Sequence, residues 1–195
     1  MSNPQIAWQQ LRAGNQSSRM QTSDRPIAAV FRCSDSCVSN ETVFGQSGGS
    51  LIDVSTWGHG VDTGVLASLE YAVETLDVPL VVVLGHDDCP AMWAALQAWD
   101  QAELPDGAMR TAVEHALLSV ARRGTPADSV QAVTAAHIVE TGVALMQRLS
   151  ALTRRVDNRT CGIVCVTHSS ADGELRVHAT FGAVDEPADA LVECV

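Results

Sequence analysis

No lysine occurs in this chain: all twelve basic residues are arginine, against 23 acidic ones, and the formal charge is −11. Beyond the pairs Arg122-Arg123 and Arg154-Arg155 there is no basic stripe, which argues against nucleic acid as a partner. No run of about 18 apolar residues is present, so no membrane span is expected. The opening Met1-Ser2-Asn3-Pro4-Gln5 lacks the charged head and apolar stretch of a signal peptide, and the chain reads as cytoplasmic. Repeats, low-complexity tracts and internal domain boundaries are also missing. What remains is 195 residues with 46% hydrophobic content, one globular domain able to bury a core. Its six cysteines, in a reducing compartment, point to metal or thiol chemistry and not to a disulfide framework.

Patterning along the chain alternates strands with helices. Residues 4–14 form a short amphipathic helix, and the polar segment 15–25 reads as a loop or arm, so 1–25 is an N-terminal helix and arm preceding a domain at 26–195. Ile27 to Phe31 is a buried strand leading to Cys33, a helical turn follows at 41–44, and Leu51 to Val54 is a second strand. Residues 61–76 are amphipathic at helical period. Leu80 to Leu84 is apolar at every position, as a central parallel strand requires. Pro90 opens a helix to about Asp100, and two more helices are expected at 106–122 and 126–153. Gly162 to Thr167 is a further strand, and Asp172-Gly173 signals a hairpin into Leu175–Phe181. The fold class is α/β, a single domain with a mainly parallel central sheet flanked by helices.

Two fragments carry the chemistry, Cys33-Ser34-Asp35-Ser36-Cys37 and His86-Asp87-Asp88-Cys89. Each begins where a predicted strand ends, and open parallel sheets gather ligands at the carboxyl ends of their strands. Two thiolates, an imidazole and a nearby carboxylate suit zinc, which takes sulfur and nitrogen ligands in a tetrahedron. Three protein ligands would leave a catalytic position open; four would close the site. Cys161 and Cys165 lie four apart on one strand face and read as packing, and Cys194 as a loose thiol. Asp87 and Asp88 read as caps of the following helix. His115, His137, His168 and His178 read as surface or satisfied core histidines, and Trp93 and Trp99 as packing or an oligomer contact.

The pattern Cys33-x-Asp35-Ser36, with Gly85-His86-x-x-Cys89, resembles the β-class carbonic anhydrases. The likeness continues through Val61-Asp62-Thr63-Gly64-Val65-Leu66-Ala67-Ser68-Leu69-Glu70-Tyr71-Ala72-Val73 and Val78 to His86, covering roughly residues 26–182. The resemblance implies a cytosolic zinc (Zn2+) enzyme in which zinc-bound hydroxide converts carbon dioxide to bicarbonate, acting as a homodimer or homotetramer. It places Cys33, His86 and Cys89 as zinc ligands, Asp35 beside the metal as catalytic carboxylate, and Gln46 as a substrate-binding amide, often across the dimer. Trp57 and His59 fall near the family's substrate wall.

The chain departs from the family pattern at particular places. The family reads Cys-x-Asp-Ser-Arg; here Cys37 stands where the arginine belongs. Val54-Ser55-Thr56-Trp57-Gly58 replaces Val-Arg-Asn/Thr-Ala-Gly, and Cys89-Pro90-Ala91 replaces Cys-Gly-Ala. In the family the arginine fork holds the aspartate off the metal. Without it, the fourth zinc position is open to Asp35, to water, or to Cys37. Arg32 is adjacent, but on a strand its side chain should point away from Cys33. The expected activity is therefore carbon dioxide hydration at reduced rate. Two alternatives are hydrolysis of carbonyl sulfide or carbon disulfide in a pocket narrowed by Trp57, and a catalytically silent, zinc-stabilised oligomer with a closed site.

Overall fold

A computed structural model describes residues 3–16 and 25–185, the side chain of Gln16 excepted. Most of the expected 15–25 arm and Cys194 lie outside the described residues. The chain runs α1 (Pro4–Gln16), β1 (Ala28–Cys33), α2 (Asn40–Phe44), β2 (Leu51–Thr56), a 3-10 turn (Trp57–His59) and α3 (Thr63–Glu70), which continues as a π-helical turn (Tyr71–Thr75). It goes on through β3 (Leu80–His86), α4 (Pro90–Gln101), α5 (Met109–Arg123), α6 (Val130–Arg148), α7 (Ser150–Asp157), β4 (Gly162–His168) and β5 (Leu175–Gly182). The five strands form one sheet in the order β2-β1-β3-β4-β5. All pairings are parallel except the β4–β5 hairpin. This is the α/β domain with a mainly parallel sheet expected from the patterning. Among the described residues no helix is long and apolar enough to cross a membrane.

Side-chain alternation divides the sheet into two buried faces. Ala29, Phe31, Val81 and Val83 pack with α3, α6 and α7, joined by Ile163, Cys165 and Ile138. Ala28, Val30, Val82 and Leu84 face the other way, onto Trp8 and Leu11 of α1 and Phe44 of α2. Every residue of β3 is buried, and each fully buried Val or Leu contributes about 1.5–3 kcal/mol. At Gly85 the helix α6 lies directly on β3: a Cβ there would stand 2.8 Å from Thr134 Cγ2 and 3.1 Å from Ile138 Cγ2. Ser39, Asp62 and Ser129 cap α2, α3 and α6 by accepting backbone N–H groups.

One expected element is corrected. The helix read as continuous over 126–153 is two, α6 and α7, broken at buried Leu149 (φ −116°, ψ 87°). The break turns Ala151, Leu152 and Val156 inward, and Leu152 and Val156 join the core beneath β4. Neither glycine nor proline marks the position. Cys161 and Cys165 are both buried in this core, as packing residues. Burial pushes their thiols up to about 12, which keeps them protonated and inert.

Candidate metal centre

β1 ends on Cys33 and β3 on His86, and the two strands are neighbours, so their carboxyl tips lie side by side. Three residues beyond His86 the chain delivers Cys89. Asp88 takes a left-handed backbone (φ 56°) to make this turn, and Cys89 occupies the N-cap position of α4 with Pro90 at the first turn. Asp87 and Asp88 do not cap α4, contrary to expectation; the cap position belongs to Cys89, which makes no side-chain cap bond. The chain there is committed to presenting sulfur inward, which leaves both carboxylates outside the first turn.

The donor atoms of Cys33, His86 and Cys89 all lie within 4.8 Å of one another and all three residues are buried. Their geometry can be tested against zinc. Two Zn–S bonds of about 2.3 Å at a tetrahedral angle separate the sulfurs by about 3.8 Å. The Cys89 and Cys33 sulfurs are 3.8 Å apart. His86 Nδ1 is 2.9 Å from the Asp87 carbonyl. A carbonyl only accepts, so Nδ1 carries the proton and the neutral ring keeps a bare Nε2. That Nε2 is buried and has no protein hydrogen-bond partner, the arrangement found in metal-ligating histidines whose other nitrogen is fixed by a carbonyl. The residues fit zinc.

The electrostatics point the same way. The Cys33 thiol is held well below its ordinary value, first because the Cys89 S–H donates to it, then by His86 and by the backbone N–H groups of Gly58 and Asp35, against the opposing effect of burial. Cys89 is pushed up by that same donation and by burial. Burial opposes a charged His86, but the Cys33 thiolate outweighs it and Asp35 adds to the effect, so His86 is raised. A divalent cation bound here would compete with protons for the same sulfur and nitrogen atoms.

Around this trio the other predicted residues take distinct places. Asp35 is not one of the three convergent donors. It lines a cavity of about 180 Å³ with Cys37, Asp88, His168 and, from the trio, His86, several times the ~30 Å³ share of one water. Cys37 is exposed, its sulfur 3.7 Å from the Asp35 carbonyl. Arg32 does point to the face opposite Cys33, yet it still reaches the loop. Its Nη1 donates to the Ser36 carbonyl at 3.0 Å while Nε and Nη2 grip the Asp53 carboxylate at 3.1–3.2 Å. Arg32 therefore fastens the Ser34–Cys37 loop through its backbone and pairs with Asp53.

Trp57 packs against the apolar cluster that contains Cys33, Cys89, Ala91 and Met92. Gln46 turns toward the α1–α2 contact beside Gly14, its amide donating to the Phe44 carbonyl at 3.1 Å, and it does not line the cavity shared by Asp35 and His86. His59 is buried behind the trio in a left-handed conformation (φ 53°), with Nε2 3.0 Å from the Leu84 carbonyl and its ring edge-on to Phe31. Burial depresses its protonation.

Two residues next to the trio escaped the sequence reading. The Gly58 N–H donates to Cys33 Sγ at 3.3 Å, and His137 Nε2 is 2.9 Å from the Gly58 carbonyl. Gly58 has φ 65°, and a Cβ there would stand 3.0 Å from Ala112 and 3.1 Å from Ala91. Only its position beside Trp57 in the substrate-wall segment hinted at a role; nothing in the spacing connects it to His137.

Comparison with known proteins adds to this geometry. The family described as carbonic anhydrase matches residues 28–175. A carbonic anhydrase of Mycolicibacterium smegmatis is 37% identical over 202 aligned positions, spanning 95% of this chain and 98% of the relative. Carbonic anhydrase 2 of Mycobacterium tuberculosis is 36% identical with the same coverage. Among solved structures, a tetrameric β-carbonic anhydrase from Sordaria macrospora superposes with a TM-score of 0.69 at 19% identity, over 83% of this chain and 84% of its own. The Coccomyxa β-carbonic anhydrase in complex with acetazolamide gives 0.68 at 18% identity, over 80% and 72%.

Proposed function

This chain belongs to the β-class carbonic anhydrase family, and from that premise we propose that it reversibly hydrates carbon dioxide to bicarbonate at a zinc ion held by Cys33, His86 and Cys89. The observation that carries the reading is the donor set itself: two sulfurs at the zinc-spanning distance of 3.8 Å and a buried imidazole nitrogen with no other partner. When bound there, zinc supplies a Lewis acid able to bring the pKa of a water molecule toward about 7.

The protein's own groups do the rest. Asp87 fixes the His86 ring through its carbonyl. Asp35, which lines the same cavity as His86, would be the carboxylate beside the metal, placed to accept a hydrogen bond from substrate water or to act as a further ligand. Trp57 forms an apolar wall that excludes bulk water from a small uncharged substrate. Cys37, in place of the family's arginine, leaves Asp35 without its expected cation, so the rate is below that of relatives with an intact pair. The protein acts as a homodimer or homotetramer in the cytoplasm; half-exposed Trp93 and Trp99 on α4 offer apolar surface for association.

Zinc analysis with stopped-flow hydration of carbon dioxide at pH 8.4 tests the reading. One zinc per chain and measurable hydration are expected. Hydrogen sulfide release from carbonyl sulfide, with no hydration, would reassign the substrate. Failure with both gases, with stoichiometric zinc and strong destabilisation on chelation, would make the metal structural. Protein that neither carries nor takes up zinc overturns the assignment.

A further inference from the structure

Behind the metal centre lies a second row of polar groups, ending on the wall of a cavity of about 200 Å³ that His59, His115, Arg122, Glu140 and Arg148 also line. The first member of the row is Gly58, whose N–H meets Cys33 Sγ and whose left-handed backbone is closed to side chains by Ala112 and Ala91. Its carbonyl is met by His137 Nε2, from the middle of α6 and 79 residues away. His137 is buried (4% exposed), and its Nδ1 is 3.0 Å from the Ser119 hydroxyl on α5.

The proton positions follow from the chemistry of each group. The Gly58 carbonyl can only accept, so His137 Nε2 carries the proton. Burial, and behind it the nearby His59, holds the ring neutral, with its pKa pushed down to about 4. Nδ1 is then bare and faces the Ser119 hydroxyl, whose single hydrogen is divided between Nδ1 and the His115 carbonyl. That hydroxyl also lies 2.8 Å from the His115 carbonyl, the back-bond a serine makes within its own helix when nothing better is available. Both nitrogens of this buried ring lie within hydrogen-bond distance of a partner, and one of those partners is the backbone beside the Cys33 sulfur.

We propose that His137, oriented by Ser119, is a positioning residue for the metal centre: it clamps Gly58 so that the Gly58 N–H stays directed at the Cys33 sulfur. This rests on the reading of Cys33 as a zinc ligand. The two polar groups of Gly58 belong to successive peptide units hinged at its Cα. Holding the carbonyl therefore fixes the torsion that aims the N–H, and the link is mechanical. A hydrogen bond to a thiolate draws charge from the sulfur, which raises the energy of its charge-transfer band; it also keeps the sulfur deprotonated and aimed, which favours metal binding. Partners of this kind around metal ligands alter metal affinity or activity by about 10–100-fold.

The test compares full-length wild type with His137→Leu, His137→Gln and Ser119→Ala. Zinc affinity is measured by chelator competition, the sulfur-to-metal charge-transfer band on the cobalt-substituted proteins, and hydrogen exchange of the Gly58 amide with and without metal. His137→Leu should lose zinc affinity about tenfold or more, move the band to lower energy and speed Gly58 exchange. His137→Gln, which can still donate to the Gly58 carbonyl, should restore all three. Ser119→Ala should move them in the same direction by less. A folded His137→Leu with wild-type affinity, band and exchange overturns the proposal, as does a Gln variant no better than Leu. Should His137→Leu not fold, a Ser119→Ala protein identical to wild type in all three readouts overturns it. Wild-type protein with no zinc affinity removes the metal reading instead, and the clamp is then judged by Gly58 exchange alone.

Discussion

The three convergent donors and the loop beside them are built on different principles. Cys33, His86 and Cys89 are buried and sit on adjoining strand tips and a helix cap, where the sheet, Gly58 and the Asp87 carbonyl fix each donor atom. Asp35 and Cys37 ride on a short loop, half-buried to exposed, with an arginine contact from Arg32. The three donors are held by the fold. The loop is held by a few bonds, from Arg32 to the Ser36 carbonyl, from the Ser34 N–H to the Thr56 carbonyl and from the Ser36 N–H to the Cys33 carbonyl. Substitutions at Cys37 and Ser55 are thus compatible with an intact donor set, and a change in chemistry does not require a change in fold.

The largest expected effect breaks the first half of this contrast. Cys33→Ser or Cys89→Ser removes a thiolate from the buried set and should lower zinc affinity by at least a hundredfold, with a matching loss of stability. Chelator competition and thermal unfolding with and without zinc check it. A serine variant that keeps wild-type affinity would mean that the fold does not dictate the donors.

Next comes acid. His137 titrates at about 4 in the folded protein, below its ordinary 6.5, so the unfolded chain takes up a proton where the folded chain refuses it. Its stabilising contribution, about 3 kcal/mol, is complete above pH 6.5 and disappears as the pH falls toward 4; buried His59 acts in the same direction. Urea unfolding between pH 7.5 and 4.5 should show a steeper loss for wild type than for His137→Gln. Metal loss in acid is common to both proteins, so the difference isolates the ring. Equal slopes would show that the ring is not held neutral.

Arg32→Ala addresses the loop. Its side chain is 16% exposed and holds both Asp53 and the Ser36 carbonyl. Removing it should cost about 1 kcal/mol, speed amide exchange across residues 34–37 and depress turnover while zinc affinity holds. Arg154→Ala, whose pair with Glu74 is 62% and 43% exposed, serves as control and should be nearly silent. The smallest effect belongs to Cys37→Ser: zinc affinity within twofold of wild type, measured by the same competition. A large loss there would make the loop a source of metal ligand and dissolve the distinction between the two regions.

The fold and the donor set were legible because each rests on a local signal. Five consecutive aliphatic residues ending at Gly85-His86 can hardly be anything but a buried strand, and thiolates at strand ends follow from it. What was not legible depends on pairings with no signature in spacing. Leu149 breaks a helix without glycine or proline because the core beneath β4 claims Leu152 and Val156. Asp87 and Asp88 have the chemistry of caps, but the cap position is occupied by Cys89. Arg32 obeys the strand rule and points away from Cys33, yet a long side chain can still curl to a carbonyl four residues on. The bond from His137 to the Gly58 backbone joins a helix to a turn 79 residues earlier, and a carbonyl acceptor leaves no trace in residue identity.

Gly85 lies only one residue before His86, yet its hydrogen atom is what lets α6 rest on β3. A methyl group at that spot would act as a wedge beneath Thr134 and Ile138, and the helix it lifted is the one that carries His137. One missing carbon atom thus governs, by leverage, the contact between His137 and Gly58, and alanine at 85 and leucine at 137 should prove to be two routes to the same defect.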